Sequence, residues 1–108
     1  MSRRTEQISG IIRRIAALRV LEVPPNVASV VNVTRVDVSP DLQYADIFIT
    51  ALKGAEEAAG FLNRKRSAIR HDLGKELRSL HTIPAVRIHV DKRSEELSRL
   101  DELLDKLK

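Results

Sequence analysis

The densest group of basic side chains in this sequence lies between Arg64 and Arg78. Against two acids, Asp72 and Glu76, the stretch carries six cations, so its local charge of +4 equals the formal charge of +4 of the whole 108-residue chain. These cations are Arg64, Lys65, Arg66, Arg70, Lys75 and Arg78. Because charges cancel elsewhere, attraction to a polyanion should be focused on this stretch, and nucleic acid is the commonest such partner.

Few residues have the types and spacing that catalysis requires. The chain has no cysteine, and its three histidines, His71, His81 and His89, form no metal-binding motif such as a pair four residues apart on one helix. The four glycines are too scattered to form a phosphate-binding loop. We therefore predict a protein that is not an enzyme, with no metal, no cofactor and no small-molecule substrate.

The first predicted element is an amphipathic helix from Ser2, a plausible N-cap, to about Leu21. Its apolar stripe has spacings of three and four residues. The stripe consists of Ile8, Ile11, Ile12, Ile15 and Leu18. Arginines on the other faces either contact phosphate or are simply solvated. These are Arg3, Arg4, Arg13, Arg14 and Arg19.

Two strands and a turn are predicted next. The β-branched segment from Ser29 to Ser39 favours a strand, but its alternation of valines fails around Thr34 and Arg35, which predicts a β-bulge there. Turn-forming residues follow at Ser39–Leu42. The next alternating segment, 44–51, has one aliphatic and one mixed face, so the two strands should form an antiparallel hairpin.

A helical pattern begins near Ala55 and runs to about Leu80, with a break at Lys65-Arg66-Ser67 where the apolar stripe fails. Within it, Gly74 is expected to pack closely on the sheet. A third strand carries Val86, Ile88 and Val90 on its inner face. Beyond Asp91, a helix capped by Ser94 should carry a leucine stripe. Its members are Leu97, Leu100, Leu103, Leu104 and Leu107.

The order helix-strand-strand-helix-helix-strand is that of an α+β fold, the KH domain of type II, in which helices cover one face of a three-stranded sheet. We predict this domain over residues 1–91 and a C-terminal amphipathic helical tail over 92–108. The usual G-x-x-G loop of KH domains is absent from the sequence. The chain has neither a membrane span nor a signal peptide, so we expect a soluble, cytoplasmic monomer that does not bind membranes.

Several segments resemble the ribosome-binding factor A family of bacterial small-subunit maturation factors. The strand-turn-strand segment Val33–Thr50 carries the most specific part of the resemblance. Further matches are Leu62-Asn63, Ile69-Arg70, Leu73-Gly74-Lys75, Leu77, Ile83-Pro84 and the C-terminal Arg99–Leu104. The resemblance covers nearly the whole chain. One feature departs, because Lys65-Arg66-Ser67 stands where the family has an Ala-x-Gly kink.

The resemblance implies a KH-type factor that binds the immature small ribosomal subunit through its rRNA and assists late maturation and precursor processing, notably in the cold. Two alternatives remain from the sequence. One is a KH-like nucleic-acid-binding module with a non-ribosomal target, and the other is a protein-interaction adaptor that uses the C-terminal leucine stripe. The predicted RNA-binding residues are Arg64, Lys65, Arg66, Ser67, Arg70, Lys75 and Arg78, together with Arg3, Arg4, Arg13 and Arg14.

Overall fold

A computed structural model describes residues 3–78, 80, 82–93 and 103–104 of the chain. Its elements follow the predicted order, which confirms the α+β fold. They are α1 (Arg3–Val20), β1 (Asn32–Val38), β2 (Tyr44–Thr50), α2 (Ala55–Arg64), α3 (Arg66–Glu76) and β3 (Ala85–Val90).

The three strands form one mixed sheet in the order β1-β2-β3. β1 and β2 are the predicted antiparallel hairpin, while β3 lies parallel to β2 with Ile47 opposite Ile88. The parallel pairing is possible because α2 and α3 form the long crossover that parallel strands need.

The predicted β-bulge lies where the valine alternation fails. Val33 pairs with Ile49 and Arg35 with Phe48, so Thr34 is the additional residue on β1. Because of this one-residue offset, Val33 before the bulge and Val36 after it both face the core. The bulge therefore keeps the aliphatic side chains of β1 on the helix-covered face.

The hairpin turn is held by the residues that predicted it. The Ser39 hydroxyl oxygen accepts hydrogen bonds from the backbone N–H groups of Gln43 and Tyr44 at 3.1 and 2.9 Å. Asp41 Oδ1 accepts a further one from the Gln43 N–H at 3.2 Å. Side chains thus replace backbone partners within the turn.

The core lies between one face of the sheet and the three helices. α1 packs mainly on β1, whereas α2 and α3 pack on β3. The core is aliphatic, and its largest fully buried side chains include Ile12, Ile47, Ile49, Ile69 and Leu73. Burying each such side chain stabilises the fold by about 1.5–3 kcal/mol relative to leaving it exposed.

Two of the predicted packing positions are wrong. Leu18 is 64% exposed, because the buried stripe of α1 continues through Ala16 and Val20. At about 100° per residue, Leu18 lies roughly 200° around the helix from Ala16. Gly74 does not pack closely on the sheet either, since the nearest heavy atom to a Cβ added there is Ile83 Cγ1 at 3.9 Å.

The second half of the helical segment ends earlier than predicted, at Glu76 rather than near Leu80. Leu77 leaves the helical region with φ −110° and ψ 42°, although its N–H still bonds to the Leu73 carbonyl. The Leu80 N–H then bonds to the Leu77 carbonyl at 3.1 Å. This turn keeps Leu77 in the core after the helix has ended.

Only part of the predicted C-terminal tail lies in the described region. Lys92 and Arg93 are helical, and the Asp91 carboxylate accepts a hydrogen bond from the Arg93 N–H at 3.1 Å, as an N-cap does. The helix therefore begins before Ser94. Leu103 and Leu104 are helical and exposed. The Ser2 and Ser94 caps, His81 and the other leucines of the stripe lie outside the described residues, and the division into 1–91 and 92–108 stays a prediction.

Replacement of Gly54 by alanine should destabilise the protein by about 1–3 kcal/mol, the usual cost of a strained backbone. Gly54 has φ +76°, and a Cβ there would clash with the Val27 carbonyl oxygen. Urea unfolding followed by circular dichroism measures the loss. Gly10→Ala is the matched control, because no atom lies within 4 Å of its added Cβ. The control should gain about 0.5–1 kcal/mol. Equal stability of the two variants would contradict the assignment.

Candidate nucleic-acid interface

The predicted break in the helical segment is a one-residue corner at Lys65, between α2 and α3. α2 ends at Arg64 and α3 begins at Arg66, while Lys65 itself has φ −99° and ψ 6°. The Lys65 carbonyl already accepts hydrogen bonds from the N–H groups of Ala68 and Ile69 at 3.0 and 3.2 Å. Lys65 is therefore both the C-cap of α2 and the N-cap of α3. Ser67 lies inside α3 and therefore does not cap this helix.

The corner is fixed to the sheet by a side chain that sequence reasoning did not assign to the site. The Asn63 Nδ2 group donates to the Ile88 carbonyl at 3.0 Å, and the Ile88 N–H donates to Asn63 Oδ1 at 3.0 Å. A side-chain amide thus pairs with β3 as a neighbouring strand would. Neighbouring Leu62 is buried at 3% exposure and holds the same turn of α2 in the core.

Four of the predicted RNA-binding residues line one groove along α3, which we call the α3 groove. Its volume is about 650 Å³, and its lining consists of Ser67, Arg70, His71, Gly74, Lys75, Arg78, Thr82 and Ile83. The absence of a side chain at Gly74 keeps the floor of the groove open, which is a different use of this glycine from the predicted close packing. The structure brings Ser67, Arg70, Lys75 and Arg78 together.

Arg70 has a structural contact in addition to its place in the α3 groove. Its Nε and Nη2 atoms donate to the Ile83 carbonyl at 3.4 and 3.1 Å. Arg70 thereby ties α3 to the segment that leads into β3. Since a guanidinium has five donors, Arg70 retains others for a ligand.

The three corner cations, Arg64, Lys65 and Arg66, are exposed and have no ion-pair partner within the part of the chain that the structure describes. The Lys65 ammonium lies 5.9 Å from the centroid of the Phe61 ring, a cation–π contact that leaves its charge available. The corner and the α3 groove follow one another along the chain and form a single basic stretch.

The arginines of α1 fall into two groups. Arg14 pairs with Glu76 at 3.1 Å, and Arg19 pairs with Asp72 at 2.6 Å, so both arginines tie α1 to α3. Hydrogen bonds from its guanidinium to Asp72 and Glu22 raise the pKa of Arg19. By contrast, Arg3, Arg4 and Arg13 are exposed and do not line the α3 groove. Of the predicted α1 contacts, Arg14 is thus already partly neutralised.

The two described histidines lie in different places. His71 lines the α3 groove, whereas His89 lies on the uncovered face of the sheet, with Nε2 2.8 Å from Asp46 Oδ1. Over the described ranges, no group of three or more His, Cys, Asp or Glu side chains is arranged to hold a metal ion. Within those ranges, no helix is long and apolar enough to cross a membrane.

Comparisons with known proteins identify relatives of this chain. The family profile of ribosome-binding factor A matches residues 2–104. Ribosome-binding factor A of Azoarcus sp. (strain BH72) is 36% identical over 107 residues, which cover 96% of this chain and 84% of the relative.

Two solved structures share the fold. The crystal structure of ribosome-binding factor A from Thermus thermophilus matches with a TM-score of 0.69 at 16% identity, over 80% of this chain and 93% of that one. A homology model of the Thermus thermophilus factor, fitted into the cryo-EM map of its 30S complex, matches with a TM-score of 0.66 at 18% identity, over 79% and 92% of the two chains.

Replacement of Asn63 by alanine should destabilise the protein by about 2 kcal/mol, because both backbone groups of Ile88 lose their partner. Hydrogen exchange of the Ile88 amide should accelerate, and urea unfolding should give the loss of stability. Asn26→Ala is a matched control, because Asn26 is exposed in a loop. Unchanged exchange at Ile88 in the Asn63 variant would contradict the proposed pairing.

Proposed function

Because the chain belongs to the ribosome-binding factor A family, we propose that it is a non-catalytic assembly factor that binds the immature small ribosomal subunit. In this proposal it contacts rRNA directly, assists late maturation and precursor processing, and acts in the cytoplasm as a monomer. The relative fitted into a 30S complex supports the choice of the small subunit.

The observation that carries this proposal is the continuous basic stretch formed by the corner and the α3 groove. Several cations held together on a fixed helix pair can neutralise several phosphates of one RNA backbone. Such contacts position the protein on RNA without reading its sequence. Selectivity for one site on the subunit would then come from the shape of the docked domain.

The corner provides a second kind of phosphate contact. The N–H groups of Ala68 and Ile69 already bond to the Lys65 carbonyl, so the N–H groups of Arg66 and Ser67 at the start of α3 are the ones that a ligand can reach. The capping residue Lys65 contributes no side-chain hydrogen bond to them. A phosphate oxygen at the corner can accept from these groups while Lys65 and Arg66 neutralise its charge. In other KH domains, the glycines of the G-x-x-G loop let the nucleic-acid backbone come close to the protein backbone, and the corner contacts would take the place of that loop.

The arginines of α1 have a secondary role in this proposal. Arg3, Arg4 and Arg13 are free to contact phosphate where the RNA extends past the corner, while Arg14 and Arg19 mainly hold α1 against α3. No covalent bond forms or breaks in this mechanism. The bound domain instead holds rRNA segments in an immature arrangement. These segments leave the basic stretch when assembly is complete.

Reversal of charge at Arg64, Lys65 and Arg66, all to Glu, should reduce co-sedimentation with immature small subunits by at least about tenfold at low salt. Losing up to three phosphate contacts should also flatten the slope of log affinity against log salt by about 2. The comparison variant Arg3→Glu, Arg4→Glu and Arg13→Glu makes the same change in net charge on α1, where the proposal gives the cations only a secondary role, so its loss of binding should be smaller. An equal loss in both variants, or unchanged binding of the corner variant, would refute the assignment of the corner.

Replacement of Glu76 by Gln should strengthen rRNA binding at low salt, because it releases Arg14 from its ion pair. One further available cation should steepen the salt slope by about 0.7–0.9. The Arg14 and Glu76 side chains are 61% and 49% exposed, so the loss of stability should stay below about 1 kcal/mol. A titration of subunits with the variant at two salt concentrations measures the effect. Weaker binding than wild type would show that Arg14 is not available to RNA.

A further inference from the structure

The second face of the sheet is covered by no element of the described structure, and it carries two of the three aromatic residues of the chain. Tyr44 and Phe48 alternate with the buried residues of β2 and so lie on this open face. Each ring has an arginine above it, Arg87 at 4.5 Å from Tyr44 and Arg35 at 3.9 Å from Phe48. Since the core is aliphatic, these rings are placed where their planar surfaces can serve binding.

Three planar groups are stacked on one another across the strands. Arg35 pairs in register with Phe48, and Phe48 with His89, so a guanidinium, a benzene ring and an imidazole form a row. The Phe48 and His89 centroids are 5.1 Å apart, with 30° between the ring planes. The Arg35 and His89 side chains are 37% and 43% exposed. We call this group the planar row.

The neighbouring carboxylate holds one end of the planar row in place. Asp46 accepts from Arg87 Nε and Nη2 at 2.8 and 3.1 Å and lies 2.8 Å from His89 Nε2. Burial of the carboxylate opposes its ionisation, but the hydrogen bonds from Arg87 and His89 prevail and lower the pKa of Asp46. Asp46 is therefore charged at neutral pH and fixes both neighbours.

A groove of about 870 Å³ runs from the planar row around β3 to α2, and we call it the sheet groove. Its charged lining consists of Arg35, Arg87, Lys92 and Arg93 against Asp46, Glu56 and Asp91. Two of the three carboxylates already have partners, since Asp46 binds Arg87 and Asp91 binds the Thr34 hydroxyl at 2.5 Å. Lys92 and Arg93 are exposed and make no ion pair within the described residues.

We propose that the sheet groove binds an unpaired stretch of RNA. An unpaired base adds one more plane to the planar row, while Lys92 and Arg93 bind the flanking phosphates. Bases stack on aromatic rings and guanidinium planes with little sequence preference. In a duplex these planes are already stacked on one another, so the groove should select single strands. The inference rests on the proposed function only in taking RNA as the partner, because the residues involved are separate from the corner and the α3 groove.

A fluorescent reporter at the planar row tests this inference directly. The chain contains no tryptophan, so Phe48→Trp introduces a single indole into the row. A 12-nucleotide oligoadenylate should quench its emission, because stacked bases quench indole fluorescence, whereas an RNA hairpin with a fully paired stem should not. Leu21→Trp is the control, since Leu21 is exposed and lines neither the sheet groove nor the α3 groove. Quenching of the control alone would overturn the inference.

Affinity measurements keep the test independent of the reporter. Phe48→Leu removes the central plane on which Arg35 and His89 lie. Fluorescence anisotropy with a labelled 12-nucleotide oligoadenylate should therefore show a loss of affinity of about fivefold or more, the lower end of what one stacked plane provides. The double variant Lys92→Ala and Arg93→Ala, in exposed positions, should lose affinity without loss of fold by circular dichroism. Wild-type affinity in both folded variants would overturn the inference.

The corner variant separates this inference from the proposed function. If Arg64→Glu, Lys65→Glu and Arg66→Glu abolish small-subunit binding while the Phe48→Trp reporter is still quenched by oligoadenylate, the two RNA sites are distinct, as proposed. If oligoadenylate quenches the reporter in neither background, the sheet groove is not an RNA site, whether or not small subunits still bind through the corner.

Discussion

The pairing of the Asn63 side chain with the backbone of Ile88 is the contact on which the geometry of this molecule depends. β3 is an edge strand, and its outward N–H and C=O groups would otherwise be open to another strand. By occupying the N–H and C=O groups of Ile88, Asn63 blocks the middle of that edge and fixes the last turn of α2 against the sheet. The helix can then change direction only at the next residues, which is where the basic corner lies.

Electrostatic contacts divide the many cations of the chain into two kinds. Acids on α3 bind Arg14 and Arg19 and so contribute to the packing of α1, while the corner cations face solvent. The same division holds on the open face of the sheet, where Asp46 binds Arg87 but Lys92 and Arg93 remain free of such pairs in the described region. The number of cations that a ligand can reach is therefore smaller than the sequence pI of about 9.9 suggests.

Much of the fold could be predicted from the sequence, because its local patterns have local causes. Alternating valines located the bulge at Thr34, and the Ser39–Leu42 turn carried its own hydrogen-bonding groups. The predicted burial of Leu18 and close packing of Gly74 were wrong, because a helical pattern shows the period of burial but not which neighbouring elements cover each turn. The place of β3 beside β2 and the roles of Asn63 and Arg70 depend on contacts between distant segments, which no local pattern contains. For the site, the sequence indicated the basic stretch but not which arginines are bound by acids.

The bulge residue Thr34 helps to anchor the chain where it leaves β3. Asp91 follows β3, yet its N–H bonds to Ile49 on β2 and its carboxylate reaches Thr34 on β1, so one buried residue links all three strands. The same carboxylate caps the helix that begins at Lys92. A pull on the chain beyond Arg93 is consequently borne by the full width of the sheet rather than by its edge strand. Loss of the single extra residue in β1 would remove the hydroxyl group that binds the Asp91 carboxylate across the sheet.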